Sequence, residues 1–190
     1  MKVALGLRAH SGWAALVALG AARAGEAALV DRRRLSLVPD GESWAKAPYH
    51  AAEDLDPDDA RTLVERAIAS ARRLAVQEVR AAAKRAREAG HDVAACAVLV
   101  SDPMPAWSVA EILAVHFRMH RAEGVLFREA LALAAGSCGL PLVALREKDL
   151  PDPAPQALVA LGRSAGPPWG KDQKVAALAA WLALRPAPRG

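Results

Sequence analysis

The sequence predicts an α/β protein built on a mixed five-stranded sheet, with strands and helices in the order βββαβαβα. Three observations predict it. The first part of the chain carries short apolar runs separated by tight-turn words. The period then lengthens to that of one long amphipathic helix. Two near-continuous apolar runs follow, each reached through a helical stretch. An antiparallel meander extended by two parallel strands satisfies all three, because tight turns pair neighbours antiparallel and helical crossovers return parallel ones.

Residues 2–8 ("KVALGLR") and 12–19 ("GWAALVAL") read as two strands joined by a turn over residues 9–12. A third strand, residues 26–38, alternates through "ALVDRRRLSLV" and stops at the turn word "PDG". Residues 39–56 are polar and carry Pro and Asp, and are read as a loop. "DPDDARTLVERAIASARRLAVQEVRAAAKRAREAG" then opens on acid, closes on Arg, Lys and Gly, and repeats apolar residues at Val64, Ile68, Ala71, Ala75 and Val79, which suits a helix. Its Arg66, Arg73, Arg80, Lys84 and Arg87 form a stripe read as a solvated face.

"HDVAACAVLVSD" is apolar enough for a strand covered on both faces. Ser108 with Glu111 three residues on forms a capping box for a helical region reaching Ala135. "GLPLVALRE" reads as another buried strand, followed by a short helical segment (residues 156–161), the loop "GRSAGPPWG" and a last helix from Lys171 to Leu184. Residues 1–186 are expected to form a single domain and 187–190 a short C-terminal tail.

The chain of 190 residues is 53% apolar but only 4% aromatic, so its core rests on Leu, Val and a few Trp among many Ala. A formal charge of +4 permits polyanion binding without requiring it. Cys96 and Cys138 lack ligand spacing and are expected to be reduced core residues of a cytoplasmic protein. Lys2, Arg8, residues 13–19 and "AARAGE" imitate a secretory leader, yet the segment is expected to be retained structure. No apolar run approaches the roughly 20 residues of a membrane span. Neither a Gly-x-Ser-x-Gly elbow, a zinc knuckle, a dinucleotide fingerprint nor a Walker-type phosphate loop is present.

Local words carry a resemblance. "ALGLRAHSGWAAL" has the shape of a strand, Gly-rich turn and Thr-Gly-Trp word, with Ser11-Gly12-Trp13 in that place. "HRAEGVLFREALALAAGSCGLPLVAL" is similar to a long helix and its following strand, and "GPPWGKDQKVAALAAWLAL" to a Gly-rich loop opening a last helix. Together they resemble RuvC-type Holliday-junction resolvases of the RNase H-like superfamily. The resemblance implies an RNase H-like sheet, a cytoplasmic homodimer, a nucleic-acid substrate and Mg²⁺ or Mn²⁺ held by carboxylates from the first strand, the fourth strand and the last helix. The first-strand carboxylate is missing, since the first acid in the chain is Glu26. A divergent member follows.

The candidate site residues are therefore Asp102, at the end of the fourth strand, and Asp172, in the first turn of the last helix, as metal ligands. Glu123 is a possible third, and His10, placed in the hairpin turn, would assist a water. Asp102 could equally open a Pro turn. Lys171, Lys174, Trp169 and Arg121 are candidates for nucleic-acid contact, the lysines at a helix start and Trp169 as a stacking face. His116, His120 and Glu123 share a helix face and form an alternative transition-metal set, or a polar face paired with Arg118 or Arg121. Gly124 is expected to admit a neighbouring helix, and Arg128 to pair with Glu123 or Glu129. The function expected is binding, and cleavage if metal is held, of structured nucleic acid at a non-standard site. The alternatives are an inactive protein-interaction or assembly module on the same fold and a small-substrate metalloenzyme.

Overall fold

The computed structural model describes residues 1–22, 25–152 and 154–185; the expected tail at 187–190 lies outside the described residues. Five strands form one sheet in the order β3–β2–β1–β4–β5. β1 (Lys2–His10), β2 (Trp13–Ala21) and β3 (Ala27–Ser36) are the antiparallel meander, and β4 (Asp92–Val100) and β5 (Leu142–Arg146) run parallel to β1. The segment that imitates a leader thus supplies β1 and β2, whose Leu16, Val17 and Leu19 are wholly buried.

Period-two alternation assigns β1 to two cores. Val3, Leu5, Leu7 and Ala9 face α2 (Pro57–Glu88) and α4 (His116–Ser137). Ala4 faces α5 (Gln156–Ser164) and α6 (Lys171–Ala183). At Gly6 the α6 backbone presses on the strand so closely that an added Cβ would lie 1.9 Å from the Ala176 carbonyl oxygen. Helices on both faces of this mixed sheet bury both surfaces. α2 buries Ala60, Val64, Ala67, Ala71, Ala75 and Val79 along one stripe, and the expected Arg and Lys stripe is exposed.

Four local expectations change. β1 and β2 run two residues further than the apolar runs, so only Ser11 and Gly12 turn, and His10 is a strand residue paired with Trp13. Gly12 takes φ +80°, which a side chain would resist. Residues 39–56 are not a plain loop: a 3₁₀ turn spans Ser43–Lys46 and α1 spans Pro48–Ala51. The Glu123 carboxylate accepts the Tyr49 and His50 N–H groups, both at 3.1 Å, a cap supplied from α4 that no local pattern signals.

The helical region before β5 is broken into α3 (Val109–Leu113) and α4 at Val115, which is extended. The Arg118 guanidinium donates to the Glu111 carbonyl at 2.8 Å, satisfying a group the interruption would orphan. The Ser108–Glu111 capping box is present as expected. β5 is an edge strand, half exposed on alternate residues, rather than buried on both faces. Cys96 and Cys138 are free thiols, and burial, with Cys138 adding to it, pushes the Cys96 thiol up to about 12. No described helix is long and apolar enough to cross a membrane.

Candidate functional site

The carboxyl ends of β1, β4 and β5 open side by side, the place where open α/β sheets bind ligands. Alternation along β1 turns Arg8 and His10 toward α6. Arg8, only 14% exposed along its side chain, donates through Nη1 to Asp172 and through Nη2 to Glu147 Oε1 and Oε2 at 3.0 and 3.1 Å. His10 Nε2 lies 2.9 Å from Asp172 Oδ1, and the His10 ring stacks on Trp13 at 4.3 Å. Arg34 covers the Trp13 ring, with Cζ 3.6 Å from its centroid. Lys171 Nζ adds 3.6 Å to Glu147.

Partial burial opposes ionisation of Asp172, but the hydrogen bonds and charges of His10 and Arg8 outweigh it and hold the carboxyl below the usual range. Asp172 is therefore a fixed anion neutralised by a fixed cation.

Asp102 sits beyond the end of β4, exposed, with Arg146 at 3.7 Å and Lys148 at 3.6 Å. Glu123 borders a hollow together with His10, but its carboxylate is engaged by α1. Beyond the α1 backbone it accepts from His50, Nδ1 to Oε2 at 2.8 Å. Asp102, Asp172 and Glu123 thus belong to separate polar groups, each with its own partners. The Mg²⁺ pair that the resemblance implies does not fit: the first-strand side chains that reach the start of α6 are Arg8 and His10, and both engage Asp172.

Three hollows adjoin along this end of the sheet, of about 210, 340 and 300 Å³. Arg128, half buried on α4, lines all of them. It does not pair with Glu123 or Glu129; its Nη1 donates to Ser101 Oγ, and among the described residues it makes no salt bridge. Gly124 lines the first two hollows, and nothing lies within 4 Å of where its Cβ would be. Its missing side chain leaves space beside Arg128 and does not admit a neighbouring helix. Arg121 borders the second hollow while donating to the Pro103 carbonyl at 3.0 Å.

Trp169 and Lys174 lie elsewhere, on an apolar groove of about 520 Å³ between α5 and α6. Trp169 presses on Gly162, where a Cβ would come within 2.6 Å of its Nε1, and Arg32 donates to the Gly166, Pro167 and Pro168 carbonyls of the same loop. His116 and His120 stand together on α4, joined by His50 from α1. Arg8, Arg128 and His50 were not among the sequence candidates. A charged residue inside an apolar strand was the one available signal, at Arg8; His50 and Arg128 acquire their places only through tertiary packing.

No protein-family model matches the chain, and no curated protein matches it. Among solved structures it is similar to Thermus thermophilus RuvC in complex with Holliday junction substrate, at 15% identity and a TM-score of 0.49, over 95% of this chain and 91% of that one. A second Thermus thermophilus RuvC structure matches at 14% identity and a TM-score of 0.48, over 94% and 91%. The three-strand antiparallel meander continued by two parallel strands, in the order β3–β2–β1–β4–β5 with helices on both faces, gives this chain the RNase H-like fold.

Proposed function

We propose that this chain is a RuvC-like nucleic-acid-binding domain that holds structured DNA or RNA at the carboxyl end of its sheet without two-metal cleavage. The observation that carries this reading is Arg128: a half-buried guanidinium, fixed by Ser101, free of carboxylate partners among the described residues, and common to three adjoining hollows. A planar fork held in that way is suited to a phosphate, which accepts two parallel N–H bonds. Arg146, Lys148 and Lys171 border the same end of the sheet and extend the positive track, and the His10–Trp13 stack lies at its β1 side.

The Arg8–Asp172 pair takes the role in folding that metal ligation would otherwise have at the start of α6. Fixed positive charge opposite Asp172 keeps the strand end and the helix start together. Asp102 stays exposed between Arg146 and Lys148, where it tempers the charge of the track. A cytoplasmic setting belongs to the same proposal and is consistent with two cysteines that are free thiols. Homodimerisation through the long helices belongs to the same proposal, and sedimentation of the purified chain distinguishes one copy from two.

Labelled four-way, duplex and single-stranded DNA and RNA, incubated with the protein and Mg²⁺ or Mn²⁺, test the reading directly. The branched substrate is expected to be retarded and uncut, in the wild type and in an Asp102→Ala/Asp172→Ala variant alike. Cleavage that this variant loses would overturn the non-catalytic reading. Absence of any shift at low salt would remove nucleic acid altogether and favour a protein-interaction module.

A further inference from the structure

On the far side of Glu123 from the sheet, three imidazoles converge. His50 stands on α1, and His116 and His120 on the first turns of α4, and each offers a ring nitrogen within 4.8 Å of the others. The Nε2 atoms of His116 and His120 are 3.0 Å apart. Zn–N bonds of roughly 2.0–2.1 Å in a tetrahedral site place ligand nitrogens about 3.3 Å from each other, so this pair needs little adjustment. The rings meet edge to face rather than stacking: His116 is perpendicular to both His50 and His120, and His50 is tilted 53° to His120. A single N–H···N bond between His116 and His120 would explain that pair but not the turning of His50 toward them.

Behind the rings stand carboxylates. Glu123 Oε2 takes His50 Nδ1 at 2.8 Å while Oε1 holds the Tyr49 and His50 N–H groups. With Nδ1 so engaged, the lone pair left to His50 for a ligand is that of Nε2, the tautomer following from the hydrogen bond. Glu53 Oε1 lies 3.9 Å from His116 Nδ1 and repeats the arrangement more loosely. The two acids also offset the positive N-terminal end of α4, which alone would repel a cation.

We propose that His50, His116 and His120 bind one borderline divalent transition-metal ion, with Glu123 as the positioning residue that orients His50. Three neutral nitrogen donors select Zn²⁺ or its neighbours over Mg²⁺, which prefers oxygen. Exposure of His116 and His120 leaves a fourth position open to water or an incoming ligand. The ion would tie the segment before α2 to α4. Glu123 also borders the first sheet-end hollow, but none of the three imidazoles lines any of them, and the proposal does not depend on the nucleic-acid reading.

The test uses the tag-free full chain, stripped of metal with chelator and titrated calorimetrically with Zn²⁺ and spectroscopically with Co²⁺. The expected result is one equivalent bound, visible tetrahedral Co²⁺ bands and a higher melting temperature with Zn²⁺. A His116→Ala/His120→Ala variant, changed only at exposed positions, should fold normally and lose the binding. Glu123→Gln should keep one equivalent with affinity lower by about 10–100-fold. If Glu123 merely capped α1, that variant would melt earlier with its Zn²⁺ affinity unchanged. Failure to take up micromolar Zn²⁺ saturably, or equal uptake by the double-His variant, would overturn the site.

Discussion

At the scale of single residues, the site is organised by which acids are already paired. Asp172 is held ionised by Arg8 and His10, and its stabilising effect has a definite sign with pH. Its folded-state carboxyl lies below the ordinary 3.8, so its contribution is complete above that value and is lost as pH falls through the lower folded one. Asp172→Asn should therefore melt earlier than the wild type above about pH 5, with the margin closing as the pH drops below the usual carboxylate range. Thermal melts of both proteins across that range check it; a margin that widened in acid would contradict the pairing. In the sequence Arg8 figures only in the segment that imitates a leader, although a cation in an apolar strand is itself a signal. Its meaning needed the α6 partner more than 160 residues away, at a sequence separation of 164.

At the scale of elements, periodicity revealed what it can. Apolar runs between turn words marked the meander, with alternation in its third strand, and the acidic head, apolar stripe and terminal Gly marked α2. What it missed depends on distant chain. α1 is capped by Glu123 from α4, so its own sequence reads as loop. β5 is as apolar as a central strand, and only its position at the sheet edge exposes it. His116, His120 and Glu123 were visible as a shared helix face, but the structure turns Glu123 toward His50 and brings His50 in as the third imidazole.

The same helix supplies a sharp test at Gly124. Its added Cβ meets nothing within 4 Å, so Gly124→Ala should stabilise α4 by about 0.5–1 kcal/mol through helix propensity alone. That corresponds to a rise of about 1–4 °C in Tm for a domain of this size. Gly124→Leu should leave folding intact while filling the space beside Arg128 and weakening nucleic-acid binding. Calorimetry and anisotropy on the two variants separate the effects; strong destabilisation by Ala would mean that the helix packs closely there after all.

At the scale of the whole molecule, the fold and the proposed function rest on different observations. The sheet order and the helices on both faces are RNase H-like, and the carboxyl ends of β1, β4 and β5 form one edge, which is the binding site we propose. Two features favour the proposed anion holding over hydrolysis: the start of α6 is closed by an Arg–Asp pair, and Arg128, which lines all three hollows, makes no salt bridge among the described residues. Fold alone does not carry function; this reading rests on the side chains at that edge. The most direct measurement is anisotropy of labelled four-way DNA with wild-type protein and Arg128→Ala over a series of salt concentrations. The expected result is saturable, salt-sensitive binding whose log–log slope falls by about 0.9 in the variant, the loss of one phosphate contact, together with an affinity at least about 10-fold weaker at low salt. Equal affinity and equal slope for the two proteins would contradict the assignment of this edge as the nucleic-acid site.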